Sequence, residues 1–170
     1  MSDDFSIKLN GRTIEAHAGE TILEAAQRAG EYIPTLCHDP RLDPAGACRT
    51  CLVEIDGQRR LLPACATKCS PNMVTSSTSE RVNRHLSVLL SLYLSDHGDL
   101  DELGLPPETP NGNQLREMAK AQGELITLEP VNAPREDRPC EDNPYFNFDP
   151  NLCILCARCT RYCDEVEGVS

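Results

Sequence analysis

The chain has few aromatic residues, a shortage of basic residues and no long apolar run. Only 4% of its 170 residues are aromatic and none is tryptophan, so we expect small cores that need staples such as bound metal. The formal net charge of −11 argues against nucleic acid and anionic membrane surfaces, because both attract basic patches. The start of the chain, MSDDFSIKLNG, lacks the basic and apolar regions of a signal peptide, and no apolar stretch could span a bilayer. We therefore expect a cytoplasmic protein without a membrane span, whose partner is a protein or a small redox carrier.

Motifs of common catalytic and nucleotide-binding sites are also missing. The sequence contains no HExxH, no phosphate loop of the form GxxxxGKS or GxxxxGKT, and no GxGxxG. Without these patterns, neither nucleotide nor flavin binding is supported. We therefore expect no catalytic site in this chain.

Cysteine is what the chain has in excess, with ten in all. Two groups have regular spacings: Cys37, Cys48, Cys51 and Cys65, then Cys153, Cys156, Cys159 and Cys163. In the first group, a CxxC turn can place two sulfurs on one small inorganic core, and four thiolates hold a two-iron cluster. The loop HDPRLDPAGA before the turn contains proline and glycine, so its backbone can wrap a cluster closely and offer amide donors. The first group indicates a 2Fe–2S site.

The second group, CILCARCTRYC, follows the CxxCxxCxxxC run of bacterial ferredoxins. In such proteins the first three cysteines hold one 4Fe–4S cluster and the fourth reaches a second cluster. A distal run would have to complete both sets, and none appears before Ser170. We therefore expect the 4Fe–4S cluster to be missing or unstable unless a ligand comes from beyond Ser170, from Cys140, or from Cys163 folding back.

Disulfides and zinc are the two alternative roles for these cysteines. An even number of cysteines is typical of disulfides in a secreted protein, although the chain shows no signal peptide and repeats CxxC spacings. Structural zinc sites also use CxxC pairs, but they usually combine two such pairs, whereas Cys37 and Cys65 stand alone on either side of one. A zinc-stapled, non-redox interaction domain is the alternative of a different functional class.

Short patterns predict the local structure of the first domain. Residues 5–9 (FSIKL) alternate apolar and polar, Asn10-Gly11 is a strong hairpin turn, and RTIEAHA returns as a second strand. TILE at residues 21–24 predicts a capping box, with Gly30 at the other end of the helix. CLVEI, Asp56-Gly57 and QRRLLPAC predict a second hairpin that delivers Cys65. Hairpin, helix, ligand loop and second hairpin describe a β-grasp domain.

With GACRTCLVEIDG, LPAC and CILCARCTRYCDEV in this order, residues 5–170 resemble the N-terminal iron–sulfur region of one family of redox subunits. The family comprises the large iron–sulfur subunit of complex I, the diaphorase-linked subunit of bidirectional hydrogenases and the alpha subunit of NAD-linked formate dehydrogenases. The resemblance implies a 2Fe–2S cluster on Cys37, Cys48, Cys51 and Cys65, and a 4Fe–4S cluster on Cys153, Cys156 and Cys159, with Cys163 serving the same or a second cluster. It implies that the chain is an electron-transfer module. Formate dehydrogenase is the preferred parent enzyme, and a hydrogenase or complex I subunit is the alternative. Its partners would be NAD- and FMN-binding diaphorase subunits.

The expected fold class is α+β, in three parts. Residues 1–79 would form a β-grasp 2Fe–2S ferredoxin-like domain, residues 80–148 a helix and an acidic connector, and residues 149–170 the first half of a bacterial-type 4Fe–4S ferredoxin domain, cut short at Ser170.

In the connector, residues 80 to about 96 have helical apolar spacing and end at Asp96-His97, while QLREMAKAQGELI predicts a further helix ending near Gly123. The family often has a one-His, three-Cys cluster after such a DH pair. Here Asp101 and Gly104 stand where its first two cysteines would be, so we expect that cluster to be absent and His97 to be solvent-exposed at the helix end. Cys69 is expected to be a packed or surface thiol, and Cys140 to lie in a linker.

Overall fold

The structure is a computed structural model that describes residues 4–97, 113–123, 125–126, 128, 144–145 and 153–169. The chain forms two compact units, one made of residues 1–86 with 157–170, and the other of residues 87–156. The helices in the described part of the chain are too short or too polar to span a membrane. The three-part division of the chain stays a prediction.

The first unit is built on a mixed sheet. In the described part of the chain this sheet has five strands, in the order β2-β1-β5-β3-β4. The strands are β1 (Asp4–Leu9), β2 (Arg12–His17), β3 (Leu52–Ile55), β4 (Leu62–Pro63) and β5 (Val74–Ser76). β1 and β5 run parallel, and the other neighbouring pairs run antiparallel.

The first hairpin has the predicted turn. Asn10 and Gly11 adopt φ values of 52° and 81°, which is the backbone that a two-residue primed turn requires and that Asn-Gly adopts most easily. The turn sets the register so that Ile7 pairs with Ile14, and both side chains are buried. The alternating pattern therefore places one face of the hairpin in the core, as predicted.

The centre of the sheet was not predicted. β5 is three residues long and pairs on one side with β1, through Lys8 and Leu9, and on the other with β3, through Glu54 and Ile55. A three-residue strand is too short to show a period-2 pattern. Its place is decided by the two strands that it joins, and both of them are distant along the chain.

The helix α1 (Ile22–Arg28) packs against the sheet and carries the predicted capping box. The Thr21 hydroxyl accepts from the Glu24 amide at 3.2 Å, and the Glu24 carboxylate accepts from the Thr21 amide at 2.7 Å. The two bonds satisfy donors that a helix start leaves unpaired. Ile22 and Leu23 are fully buried, so the cap aims the apolar face of α1 at the sheet.

One hydrophobic cluster joins the sheet, α1 and the ends of β3 and β4. Its buried members are Ile7, Leu9, Ile14, Ala16, Ile22, Leu23, Ala25, Ala26, Ile33, Cys51, Val53, Ile55, Ala64, Cys65 and Cys69. Aliphatic residues of modest size fill this core, as expected of a sequence poor in aromatics. Three cysteines belong to it, so the cysteine-rich region is part of the folded core rather than an appendage.

Three more helices follow in the part of the chain that the structure describes. α2 (Glu80–His97) matches the predicted span, and its N-terminal part buries Val82 and Leu86 in the first unit. In the second unit, α3 (Gln114–Gln122) begins at Asn113, whose side-chain oxygen accepts from the Arg116 amide at 3.0 Å. α3 ends at Gly123, as predicted. α4 (Arg158–Glu165) belongs to the first unit.

Candidate metal centre

The ends of β3 and β4 bring two of the predicted ligands together. Cys51 comes directly before β3 and Cys65 lies two residues after β4. Leu52 pairs with Pro63 across the two strands, and the Ala64 amide donates to the Cys51 carbonyl at 2.9 Å. Because the antiparallel register holds these backbone groups side by side, the cysteines that flank them become neighbours.

The loop from Cys37 to Cys48 brings the other two ligands together. The Cys48 amide donates to the Cys37 sulfur at 3.4 Å. Gly46 has a φ of 59°, in the left-handed region that glycine tolerates, and its amide donates to the Cys65 sulfur. This is the close approach of backbone to sulfur that the Gly-containing loop predicts.

The four cysteines of the first group are buried, with exposed fractions of 1% to 5%. Their thiols form two hydrogen-bonded pairs, Cys37 with Cys48 and Cys51 with Cys65. No three of these sulfurs all lie within 4.8 Å of one another. Among the described residues, acidic, histidine or cysteine side chains form such a close group only at Asp4, Glu15 and His17. The thiols are therefore arranged as two pairs and not as one group of four sulfurs in close contact.

The first pair is polarised. The Cys37 thiol and the Thr50 hydroxyl and amide hydrogen bond to the Cys48 sulfur and lower the pKa of Cys48 to about 4, although burial opposes the shift. The Thr50 hydroxyl lies 3.1 Å from that sulfur. The pKa of Cys37 is raised, because its thiol hydrogen bonds to Cys48 and because it is buried. Cys48 is therefore the more acidic thiol of this pair, and the thiolate is the form of cysteine that binds metal.

The second pair repeats the pattern more weakly. The Cys51 thiol and the Gly46 amide lower the pKa of Cys65 to about 7, against the effect of burial. The pKa of Cys51 is raised by its hydrogen bond to Cys65 and by burial. Every sulfur of the group also accepts a hydrogen bond from a backbone amide. The amides of Ala47 and Cys48 donate to Cys37, and those of Leu36 and Thr50 donate to Cys48. The Cys65 amide donates to Cys51, and the Gly46 amide donates to Cys65.

This donor set fits a two-iron cluster. A 2Fe–2S core is held by four thiolates, two to each iron, and the two thiol pairs provide that division. The amide donors suit sulfur that carries negative charge. A single zinc ion would draw all four sulfurs to about 3.8 Å from one another, given Zn–S bonds of about 2.3 Å in a tetrahedron. The paired arrangement favours the binuclear centre over the mononuclear one.

Comparison with known proteins agrees with this geometry. Residues 2–80 match the family described as 2Fe-2S iron-sulfur cluster binding domain. The matched residues, which we call the 2Fe–2S domain, contain the sheet, α1 and all four cysteines of the first group.

The similarity of the chain to known proteins extends beyond the 2Fe–2S domain. The chain is 36% identical over 165 residues to a subunit of NADH-quinone oxidoreductase from Rhizobium meliloti, covering 95% of this chain and 19% of that protein. It is 31% identical over 166 residues to a candidate formate dehydrogenase of Bacillus subtilis, covering 95% and 16%. An NAD+-reducing NiFe-hydrogenase structure matches with a TM-score of 0.80 and 33% identity, over 94% of this chain and 65% of that chain. The resemblance predicted from the cysteine motifs is confirmed, and the chain spans about a fifth or less of the curated relatives just named.

Cysteines of the second group lie in and before α4. Cys153 and Cys156 are half-buried and belong to the second unit, whereas Cys159 and Cys163 are exposed on α4 in the first. Leu155 and Ala157 adopt φ values of 55° and 58°, so the backbone that carries these cysteines makes left-handed turns before α4. Ligation by this group stays a prediction.

Cys69 is distinguished from the 2Fe–2S ligand candidates by its surroundings. It lies in the hydrophobic cluster and is 9% exposed. Of the two predicted environments, packed or surface, Cys69 has the packed one. Burial, and then the charges of Glu20 and Glu24, raise the pKa of Cys69 to about 11. It is therefore a neutral thiol, in contrast to Cys65 four residues earlier.

Outside the 2Fe–2S domain, one expectation is wrong and another lies beyond the described residues. His97 is 6% exposed and not solvent-facing, because the C-terminal half of α2 buries one face in the second unit, including Leu90, Ser91 and Ser95. Cys140, Asp101 and Gly104 lie outside the described residues.

Thr50 is a residue of the site that sequence patterns did not single out. Its hydroxyl and amide both reach the Cys48 sulfur. Its place inside the CRTC turn is the one local signal that could have drawn attention to it.

Proposed function

We propose that this chain is an iron–sulfur electron-transfer module of a multi-subunit NAD-linked oxidoreductase, with a 2Fe–2S cluster held by Cys37, Cys48, Cys51 and Cys65. The observation that carries the proposal is that the four buried thiols form two pairs and that every sulfur accepts a hydrogen bond from a backbone amide. The match of residues 2–80 to a 2Fe–2S cluster binding domain supports it.

The residues of the chain bind the cluster and control its surroundings. When bound, a 2Fe–2S cluster supplies reversible one-electron chemistry. The four cysteines would bind as thiolates, so assembly at neutral pH releases the protons of the neutral thiols. Burial of the sulfurs excludes water, and the amides of Gly46, Ala47 and Thr50 stabilise the negative charge that reduction adds. Catalysis is not assigned to this chain, so the electron would come from one subunit and leave to another.

The test is spectroscopic. We expect anaerobically purified chain to be coloured, to contain iron and acid-labile sulfide, and to give a 2Fe–2S EPR signal after dithionite reduction. Cys48→Ser should remove that signal, because it deletes one of the four proposed thiolate ligands of the cluster. A colourless protein that contains zinc and no iron or sulfide would support the zinc-stapled domain and overturn the proposal.

The second cysteine group is proposed to hold a 4Fe–4S cluster through Cys153, Cys156 and Cys159, with Cys163 as a further ligand to this or a second cluster. Its support is the CxxCxxCxxxC spacing. Iron content separates the two groups: Cys156→Ser should lower iron per chain without changing the 2Fe–2S EPR signal. Loss of the 2Fe–2S signal in this variant would contradict independent sites.

The parent enzyme is proposed to be a formate dehydrogenase, with a hydrogenase or a complex I subunit as the alternative. Relatives named for each of the three enzymes are similar to this chain, and the absence of cysteine at Asp101 and Gly104 favours the formate dehydrogenase or hydrogenase type over complex I. The proposed partners are NAD- and FMN-binding diaphorase subunits. Binding of the chain to the diaphorase subunit of a formate dehydrogenase, in competition with those of hydrogenase and complex I, tests the choice. Tighter binding to either competitor would refute it.

A further inference from the structure

Helix α4 lies against the loop that carries Cys37 and Cys48. Arg161, in the first half of α4, donates to the carbonyl of Cys37 at 3.5 Å and also to the carbonyl of Asp43. Both carbonyls belong to the loop that links two predicted ligands. One guanidinium therefore contacts the loop at a ligand residue and at its middle.

Glu165 completes the contact one helical turn later. Its carboxylate accepts from the Arg161 guanidinium at 2.9 Å and from the Asp43 amide at 2.7 Å. The amide and the carbonyl of Asp43 are thus both held by this i,i+4 ion pair.

The Arg161–Glu165 pair differs from an ordinary surface ion pair in its exposure. Its side chains are 18% and 25% exposed, whereas those of the i,i+4 pair Arg84–Glu80 on α2 are 76% and 87% exposed. Charges that are less accessible to water and salt are screened less. The field of the Arg161–Glu165 pair therefore acts on the loop more strongly than that of a fully solvated pair.

A second contact fastens the same loop. The Arg41 guanidinium lies 4.8 Å from the ring centroid of Tyr162 on α4, within the range of a cation–π interaction. Arg41 also forms an ion pair with Asp39 at 2.8 Å. The loop is attached to α4 at Asp43 and at Arg41, so its conformation depends on α4.

We propose that Arg161 and Glu165 are positioning residues that set the reduction potential of the 2Fe–2S centre, by holding one cation and one anion against its ligand loop. This inference rests on the proposed function. It gives the segment that carries Cys159 and Cys163 a role in the first centre, independent of whether those cysteines bind a cluster.

The charges predict opposite effects for the two residues. Reduction adds one electron, and therefore one negative charge, to the centre without making or breaking a bond. In Arg161→Gln the carboxylate of Glu165 remains without its cation, which disfavours the reduced form. In Glu165→Gln the guanidinium remains without its anion, which favours it. For partly exposed charges we expect about a threefold to tenfold change in the ratio of reduced to oxidised centre at a fixed potential, or roughly 30 to 60 mV for a one-electron couple.

The experiment is an EPR-monitored titration of the holo chain, with dithionite as the reductant and redox mediators. We expect the midpoint potential to fall in Arg161→Gln, to rise in Glu165→Gln, and to return towards the wild-type value in Arg161→Lys. Arg84→Gln is the matched control, because it removes the cation of an exposed i,i+4 pair, and its potential should equal that of the wild type.

A merely structural role would give a different result. If the two residues only docked α4, both Gln variants would loosen the loop and shift the potential in the same direction. Shifts of the same sign, or potentials equal to that of Arg84→Gln, would overturn the inference while leaving the proposed function intact. Absence of a 2Fe–2S signal in the wild type would instead refute the proposed function.

Discussion

At the scale of single residues, the surroundings of a cysteine decide its chemistry. Cys65 and Cys69 are four residues apart and both are buried. Cys65 is paired with Cys51 and has a pKa lowered to about 7, whereas Cys69 lies among apolar side chains and has a pKa raised to about 11. The spacing of the sequence favours Cys65 as the ligand, and the pairing supplies the physical reason.

This difference predicts the outcome of two matched substitutions. Cys65→Ser should abolish the 2Fe–2S EPR signal. Cys69→Ser should keep the signal and lower the free energy of unfolding by about 1 to 3 kcal/mol, because it buries a hydroxyl in an apolar cluster. EPR and denaturant unfolding measure the two effects. Loss of the signal in Cys69→Ser, with Cys65→Ser retaining it, would exchange their roles.

Asn10 is a second residue with more than its local role. Its backbone forms the hairpin turn, and its side chain also accepts from the Ser77 amide at 2.8 Å and donates to the Ser77 hydroxyl at 2.9 Å. We expect Asn10→Gly to keep the turn but lose about 1 to 2 kcal/mol of unfolding free energy through these two bonds. Asn10→Asp, which keeps the acceptor, should lose less. Equal stability of all three proteins in urea would show that the contact to Ser77 contributes nothing.

At the scale of elements, α1 is held by its cap and by charges at its start. Thr21→Ala should lower the free energy of unfolding by about 1 kcal/mol, the usual cost of losing such a cap. Thr21→Ser retains the hydroxyl and is the control. Urea unfolding of the holo chain measures the difference, and a loss as large in Thr21→Ser would attribute it to packing of the threonine methyl.

The same cap predicts a pH dependence. The Thr21 amide lowers the pKa of Glu24, and the Arg28 side chain lowers the pKa of Glu20, from an ordinary value of 4.5. A carboxylate whose pKa falls on folding stabilises the protein above the unfolded pKa, and this stabilisation disappears as the pH falls through the folded value. The stability difference between wild type and Glu24→Gln should therefore be full at pH 7 and shrink below about pH 4.5. Denaturant unfolding of both proteins at each pH tests this, since loss of the cluster in acid affects both. A difference that does not change with pH would contradict the shift.

At the scale of the whole molecule, the two cysteine groups differ in access. The first group is 1% to 5% exposed, while Cys159 and Cys163 are exposed. In chain that holds only the 2Fe–2S cluster, we expect iodoacetamide under native, anaerobic conditions to alkylate Cys159 and Cys163 well before the first group. Mass spectrometry of tryptic peptides, with denatured protein as the control, gives the order. Equal rates for both groups would contradict the buried site.

How far the sequence predicts the fold depends on the distance over which the deciding interactions act. The Asn10-Gly11 turn, the Thr21 capping box and the end of α3 at Gly123 were predicted because neighbouring residues form them. β5 was missed, and His97 was wrongly expected to be exposed. The position of β5 depends on strands that are distant along the chain, and His97 is buried by the packing of a whole helix face.

For the candidate site, the sequence by itself predicted which cysteines would bind a cluster, because ligand spacing and the CxxC turn are local properties of the chain. Only the tertiary structure decided that the thiols divide into the pairs Cys37–Cys48 and Cys51–Cys65, and that Cys69 is a core residue. It also decided that Arg161 reaches the Cys37 carbonyl across 124 positions of sequence. Such contacts depend on how the strands, the loop and α4 pack together, and no short pattern encodes that packing.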